Sequence, residues 1–373
     1  MKKSNALRIT GMNDAGGVVP NTSLITRHSS LVQRALFPLA VLYGCAVGLR
    51  TVLYETGWLS CRQLPCRVES VGNLTAGGTG KTPVVIALVQ WLTSMGKRVG
   101  VLSRGYHRTS RDEHVLVSDG VQVLTGPSEA GDEPHLIARR CPGVVVAVGA
   151  DRYRLGRWVL ERFPLDYLVL DDGFQHRALK RDVDLVLMDA SDAMGINALL
   201  PAGRLREPVT AAARADAVLV TRVDSGMGTD AVFTALQGVR LKYRPFLVQF
   251  TADCLVHVSK EATVTSDFVR GRRAVAVCGI GNPGSFRCLL EHLGVRVEDE
   301  LQFPDHHAYT PEDVRLIRAR AARAGADLVL TTEKDASKLA GHVTHDEAFW
   351  AVRLRTDMLE RREELEQLIL GRV

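Results

Sequence analysis

"VGNLTAGGTGKTP", residues 71–83, follows a β-branched run, "RVESV" (67–71), and runs into "PVVIALVQWLTSMG" (83–96), whose apolar residues recur at three and four. Strand, glycine-rich turn and helix in that order are the setting in which Gly-Lys-Thr forms a phosphate-binding loop. The spacing G-x-x-x-x-G-K-[ST] puts Thr75 where the first glycine belongs, a change that costs little if that backbone position keeps φ negative. Gly77, Gly78 and Gly80 let the N–H groups of the loop converge on an anion, and the helix start adds partial positive charge. Lys81 is placed to reach the β and γ phosphates, with the Thr82 hydroxyl on Mg²⁺. Gly72, Asn73, Thr75 and Thr79 complete the stretch expected to hold the nucleotide. ATP is favoured over GTP, because "TRVD" (221–224) and "TEKD" (332–335) do not supply the N-K-x-D guanine reader. Ala76 stands where partition-type ATPases that dimerise through this loop carry a lysine.

Outward from the loop, "RVGVLS" (98–103), "GVVVAV" (143–148), "LDYLVLDD" (165–172), "VDLVLMDA" (183–190) and "ADAVLVTRVD" (215–224) are nearly continuous apolar runs. Such runs are buried on both faces, the habit of parallel strands covered by helices. The pattern predicts an α/β fold, a P-loop NTPase-like doubly wound parallel sheet over 60–235. Residues 236–262 show weaker periodicity and read as a bridge. "RRAVAVCGIGNPGSFRCLLEHLG" (272–294) and "PEDVRLIRARAARAGADLVLTTEKD" (311–335) then restart the alternation. They predict a second, smaller α/β domain over 240–350, with a C-terminal strand and charged helix (351–373) packing on either domain.

A metal-holding strand is expected beside the loop, and "YLVLDDGFQH" (167–176) provides four apolar residues running into Asp171 and Asp172. Acids at the carboxyl end of a parallel strand lie where α/β ligands bind. Mg²⁺ takes hard oxygen ligands and only one or two protein carboxylates beside phosphate and water. One aspartate can bind directly while the other acts through water or orients the loop. Two more clusters carry acid–base potential. "GPSEAGDEP" (126–134) sets Asp132 and Glu133 in a glycine- and proline-rich loop, and "FPDHHAYTPED" (303–313) sets Asp305, His306 and His307 before a helix capped by Thr310. A carboxylate hydrogen-bonded to an imidazole is a better-oriented base than either group alone.

At 373 residues, 46% hydrophobic and 24% charged, the chain has enough sequence for two ordinary globular domains. The net charge of +5 is spread out, without the basic stripe and interleaved aromatics of a nucleic-acid groove. Its seven scattered cysteines form no C-x-x-C pair, so neither a disulfide framework nor a zinc site is suggested. Residues 1–34 are basic, and the first twenty or so read as disordered. "ALFPLAVLYGCAVGLRTVLY" (35–54) is apolar except for Arg50. As a helix it covers about 30 Å, the hydrocarbon thickness, with Arg50 placed to snorkel to the interface. A membrane-anchoring helix over 35–56 is the expectation; a buried core helix is the alternative, and "LYGC" (42–45) makes a poor lipoprotein box.

"GNLTAGGTGKTP", "SRGY" (103–106), "GDEP" (131–134), "DDGFQH" (171–176), "LLPAGRLREP" (199–208), "FPDHHAYT" (303–310) and "TTEKDASKL" (331–339), in that order behind an apolar helix, resemble the tetraacyldisaccharide 4′-kinase family. The resemblance spans about residues 35–340. It implies a bacterial inner-membrane enzyme, its catalytic domains facing the cytoplasm. The enzyme transfers the ATP γ-phosphate to the 4′-hydroxyl of a tetraacylated glucosamine disaccharide 1-phosphate, a lipid A precursor. The family's catalytic carboxylate and histidine fall on Asp132 and His306, ahead of His307. Polar groups near the site mouth suited to the acceptor are Arg104, Tyr106, Glu133, Arg152, Gln175, His176 and Arg206. Partners are the lipid substrate and the membrane surface, with no nucleic acid and no obligate protein partner inferred. A membrane-tethered nucleotide switch and a soluble small-molecule kinase are the competing readings.

Overall fold

The computed structural model describes residues 22–223 and 228–372. The first twenty-one residues, and Asp224 at the end of "TRVD", lie outside them. The chain opens with helix α1 (Thr22–Glu55) and then enters the sheet at β1 (Arg67–Asn73). There follow α2 (Lys81–Ser94), β2 (Val99–Ser103), β3 (His114–Asp119), a single turn α3 (Pro127–Ala130), α4 (Asp132–Arg140), β4 (Val145–Gly149), α5 (Arg152–Leu160) and β5 (Tyr167–Asp171). Next come β6 (Val183–Asp189), β7 (Ala217–Thr221), α6 (Thr229–Leu236), β8 (Phe246–His257), β9 (Thr263–Thr265), β10 (Arg273–Cys278) and α7 (Pro283–His292). The chain ends with β11 (Arg296–Gln302), α8 (Pro311–Ala324), β12 (Leu328–Thr332), α9 (Glu333–Leu339), β13 (Phe349–Met358) and α10 (Arg362–Leu370).

The strands form one sheet in the order β11-β10-β12-β13-β8-β7-β6-β1-β5-β2-β4-β3, with β9 hydrogen-bonded to β8. β1 lies parallel between β5 and β6, with Glu69 opposite both Val169 and Val183. β2, β4, β5, β6 and β7 are buried along their whole length, as their unbroken apolar runs require of strands covered on both faces. The sheet is not interrupted after β7. The stretch read as a bridge contains β8, twelve residues long, parallel to β7 at its start and antiparallel to β13 over nearly its whole length. Strands β10, β11 and β12 join β13 in parallel. The carboxyl edges of the two halves converge: a Cβ added to Gly281, just past β10, would sit 2.9 Å from the Gly78 nitrogen, just past β1.

Helix α2 buries Val85, Val89 and Leu92 in one core with Val71, Val101 and Val169. Leu365 and Ile369 of α10 join that same core, so the C-terminal helix packs on the P-loop half. Asp357 and Met358 end β13, ahead of that helix. The capping box expected at Thr310 is present, its hydroxyl accepting from Asp313 N–H.

Helix α1 starts at Thr22, upstream of the predicted segment, and Gln33–Glu55 is long and apolar enough to cross a membrane. Ala40, Tyr43, Val47, Thr51 and Tyr54 face the protein at helical spacing, while Phe37, Leu39, Leu42, Leu49 and Val52 are exposed. Arg50 is exposed. Its Nη2 donates to the Gln175 carbonyl (2.7 Å) and its guanidinium lies over the Tyr54 ring.

Candidate active site

The loop between β1 and α2 is shaped from behind. Asn73 Nδ2 donates to the Thr75 carbonyl (2.7 Å) and Thr79 Oγ1 (2.9 Å). Thr221 Oγ1 donates to the Thr79 carbonyl (2.9 Å) and Arg222 Nη1 to the Gly78 carbonyl (2.8 Å). The segment 199–208 closes the other side, with Ala76 N–H donating to the Arg204 carbonyl and Arg206 N–H to the Leu74 carbonyl, both at 2.7 Å. Thr75 keeps a negative φ and bridges to Leu205, buried. Residues Ala76 to Pro83 line the cleft, whereas Gly72, Asn73 and Thr75, grouped with them by sequence, lie behind it. Gly72 is glycine because a Cβ there would sit 2.4 Å from that of Phe174 in the turn after β5. Gly80, at φ 85°, is the N-cap of α2 and gives the helix no side-chain cap. The first-turn N–H groups at Lys81 and Thr82 are thus available to a phosphate.

Asp171 and Asp172 share the end of β5 but not an environment. Asp171 is buried; Ser103 Oγ donates to its Oδ2 (3.0 Å), and its Oδ1 has no partner among the described residues. Burial, reinforced by Glu133 and Asp172, holds this carboxyl well above the usual range. Asp172 follows at φ 55°. Burial would raise it too, but Lys81 (Nζ to Oδ1, 3.6 Å), Arg206 (Nη1 to both oxygens, 3.0 and 2.8 Å) and Arg152 outweigh that and hold it low. Asp171 Oδ1, a buried oxygen without a partner among the described residues, and the Thr82 hydroxyl on the cleft wall are hard-oxygen donors of the kind Mg²⁺ takes.

The opposite wall carries the second acid. Asp132 and Glu133 do not sit in a loop as predicted; they open α4, where their charge complements the helix N-terminus. His306, at φ 63° in the turn after β11, points Nδ1 at Asp132 Oδ2 (3.2 Å). His307 turns the other way, to Asp313 (3.0 Å) and the Phe303 ring. Lys338 Nζ donates to the same Asp132 oxygen (3.1 Å). Burial acts to raise Asp132, but His306 and Lys338 prevail and hold it below the ordinary carboxylate range. Lys334 Nζ donates to Asp305 Oδ1 (3.0 Å), lies 3.3 Å from His306 Nε2, and is 3.7 Å from Glu133.

Arg104, Tyr106, Glu133, Arg152, Gln175, His176 and Arg206 all line one cleft of about 1220 Å³ with the phosphate loop and His306. The Arg152 Nε and His176 Nε2 atoms are buried without a partner among the described residues. Burial and Arg152 push the His176 imidazole down to about 4, leaving it neutral. Helix α1 reaches the rim of this cleft, where Tyr43 Oη donates to the Arg206 carbonyl (2.8 Å).

Several residues here escaped the sequence reading. Arg222, which pairs with Asp189 and holds the Gly78 carbonyl, lies within a string read only as a failed guanine motif. Lys334 and Lys338 lie in "TTEKDASKL", whose spacing of four puts both on one helix face. Arg140, paired with Glu333 of α9, has no signal in the sequence, since it is brought to the cleft by the packing of α4 on α9.

A phosphate loop, an acid at a strand end (Asp172) and an imidazole backed by a carboxylate (His306 on Asp132), gathered at one cleft, are the parts of a P-loop phosphotransferase. The family model for tetraacyldisaccharide-1-P 4′-kinase matches residues 32–373. A tetraacyldisaccharide 4′-kinase of Syntrophus aciditrophicus is 43% identical over 81% of this chain and 83% of its own. One of Anaeromyxobacter sp. is 40% identical over 87% and 88%. The "apo" form of LpxK from Aquifex aeolicus, crystallised in complex with ATP, superposes with a TM-score of 0.72 at 35% identity, over 91% of this chain and 99% of that one. The chain belongs to the tetraacyldisaccharide 4′-kinase family.

Proposed function

We infer that the chain is an ATP-dependent kinase that phosphorylates the 4′-hydroxyl of a tetraacyldisaccharide 1-phosphate, a step of lipid A biosynthesis. The observation that supports this most directly is that the phosphate loop and His306, whose Nδ1 is paired with Asp132, line the same cleft. Lys81 and the first-turn N–H groups of α2 bind the β and γ phosphates. Thr82 and Asp171 hold Mg²⁺, with Asp172 behind them through Lys81 and Arg206. The ion these residues would hold would offset the negative charge that develops in phosphoryl transfer.

Asp132 accepts the proton of the 4′-hydroxyl as that oxygen bonds to the γ-phosphorus. The bond from the γ-phosphorus to the β,γ-bridging oxygen breaks, and ADP leaves with the electron pair. His306 orients the carboxylate. Low basicity suits it to this task, because the transition state is loose and the hydroxyl proton departs late. Arg104, Arg152, Gln175, His176 and Arg206 grip the disaccharide, with Tyr106 and Glu133 at the rim. The two halves, 60–235 and 240–350, act as lobes whose closure excludes water from the bound nucleotide. Helix α1 brings the cleft to the bilayer where an acylated substrate resides, with the catalytic lobes on the cytoplasmic side, where ATP is.

Incubation of the full chain in phospholipid vesicles with γ-labelled ATP and the disaccharide precursor should place label on the distal sugar. Asp132→Ala should lower kcat by about 10²–10⁴-fold with ATP affinity retained. Label appearing only as free phosphate, or undiminished transfer by the variant, would overturn the reading.

A further inference from the structure

The lysines Lys334 and Lys338 stand four residues apart on α9, one helical turn, and both are largely withdrawn from solvent, their side chains 15% and 10% exposed. Long charged side chains on a helix face are ordinarily solvated, so two buried neighbours call for partners. Each has one on the proposed catalytic pair. Lys338 Nζ lies 3.1 Å from Asp132 Oδ2 and 3.3 Å from Asp335. Lys334 Nζ lies 3.3 Å from His306 Nε2 and is held by Asp305 at 3.0 Å.

The chemistry of these contacts is directional. An ammonium has three donors and no acceptor, so His306 Nε2, facing Lys334, must accept. The ring hydrogen then sits on Nδ1 and is donated to Asp132 Oδ2. Lys338 donates to that same oxygen, so both fixed contacts fall on Oδ2 and Oδ1 is left for the acceptor hydroxyl. We propose that Lys334 and Lys338 are a positioning pair that clamps the Asp132–His306 dyad from its two ends, Lys334 fixing the imidazole tautomer and Lys338 fixing the carboxylate. The inference rests on the kinase reading above. It adds a reason why α9, which follows β12 directly, must be in register with α4: the dyad is drawn from α4 and the β11–α8 turn, and α9 touches both members.

Burial alone would lower the Lys334 ammonium, but Glu133 and Asp305 prevail and keep it raised, so the donor persists across the neutral range. The charged and titratable groups around the dyad are Glu133 and His135 from α4, Asp305 from the turn, Lys334, Asp335 and Lys338 from α9, and the rings of Tyr106 and His107. Among them Lys338 is the cation in direct contact with Asp132. Its removal lets the carboxyl protonate more readily, and the acid limb of the pH–rate profile moves to higher pH.

The test uses the full chain in vesicles. In ¹⁵N-histidine spectra, His306, assigned by loss of its signals in His306→Gln, should show the Nδ1–H tautomer alone. Lys334→Met should convert this to a tautomer mixture and lower kcat by about 10–100-fold with the KM for ATP nearly unchanged, and Lys334→Arg should restore both. Lys338→Met should shift the acid limb of kcat/KM upward, and Lys338→Arg should bring it back, which a packing defect would not do. An unchanged imidazole spectrum together with an unmoved acid limb overturns the clamp. If Asp132→Asn also retains native kcat, the kinase reading of Asp132 falls with it; if Asp132→Asn abolishes turnover, only the clamp fails. Should a methionine variant not fold, the arginine variants still decide: a native spectrum and limb sustain the clamp, and a tautomer mixture in folded Lys334→Arg that keeps native kcat refutes it.

Discussion

The corner from Asn73 to Lys81 and the corner from Cys278 to Pro283 are built on one plan, a buried parallel strand, a glycine turn and a helix, and they face each other across the cleft. They differ at the cap. Helix α2 begins at Gly80, in the left-handed region, without a side-chain cap. Helix α7 begins at Asn282, whose Oδ1 accepts from Ser285 N–H (3.2 Å) and whose Nδ2 donates to Ser191 Oγ (2.9 Å), with Pro283 at its first position. In the second corner the Ser285 N–H is taken by the Asn282 side chain and Pro283 has no N–H to offer. In the first the N–H groups of the first turn are left for an anion, and Lys81 and Thr82 stand beside them. Glycine content therefore does not separate a phosphate cradle from a structural turn; the residue at the cap and the one after it do.

The largest effect follows from the one cation that only the first corner owns. Lys81→Ala should lower kcat by roughly 10²–10³-fold, the scale of losing one pre-aimed donor to developing charge, while thermal unfolding hardly moves. Lys81 also faces Asp172, so its loss leaves that acid to Arg206 and Arg152 and does not strand it. A loss below tenfold in labelled-phosphate transfer would mean that the two corners are not distinguished by this lysine. Next is Gly80→Ala, where φ is 85° and the added methyl would meet Phe250 ring carbons at 2.4 Å. The strain alone is about 1–2 kcal/mol, and the ring must move as well, so ATP affinity measured by calorimetry should drop at least about tenfold. Pairing it with Phe250→Ala should recover part of the loss, since the ring clash goes and the strained φ stays.

Gly281→Ala tests the contact between corners, because its methyl would press on the Gly78 nitrogen at 2.9 Å, backbone against which little can shift. ATP affinity should fall by several-fold although no residue of the phosphate loop has changed. Unaltered affinity would show that the corners approach without constraining each other.

The first corner was legible because its context is local: strand, loop, lysine and helix lie within the consecutive stretch 67–94. The paired acids of β5 were legible for the same reason. β8 was not, because its burial alternates where the sheet changes from its parallel half to β13, and Gln249, Thr251 and Asp253 break the apolar run that marked the other strands. His306 and His307 are adjacent in sequence, and the left-handed backbone at His306 sends their rings to different acids; no side-chain pattern encodes that divergence. The docking of α1 was hidden in another way. Its apolar length announces a membrane helix, but the contacts of Tyr43 with the Arg206 carbonyl and of Arg50 with the Gln175 carbonyl involve backbone acceptors, which composition cannot flag.

The smallest effect belongs to the second corner. Asn282→Ala removes the cap of α7 and its link to Ser191, a loss of about 1 kcal/mol by the usual worth of an N-cap. In a chain of this size that lowers the unfolding midpoint by roughly 2 °C. Turnover should stay within about twofold, since the Ser285 N–H loses a protein acceptor without any phosphate losing a donor. An Asn282→Asp variant separates the two duties of the side chain: the carboxylate still caps Ser285 N–H, but it cannot donate to Ser191 Oγ and it places a negative charge on the cleft wall beside Gly78. Stability should then return toward native while ATP affinity declines, by an amount that shrinks with added salt. If instead Asn282→Ala abolished transfer as thoroughly as Lys81→Ala, the second corner would be a nucleotide-binding element in its own right, and the contrast at the caps would no longer mark which turn holds phosphate.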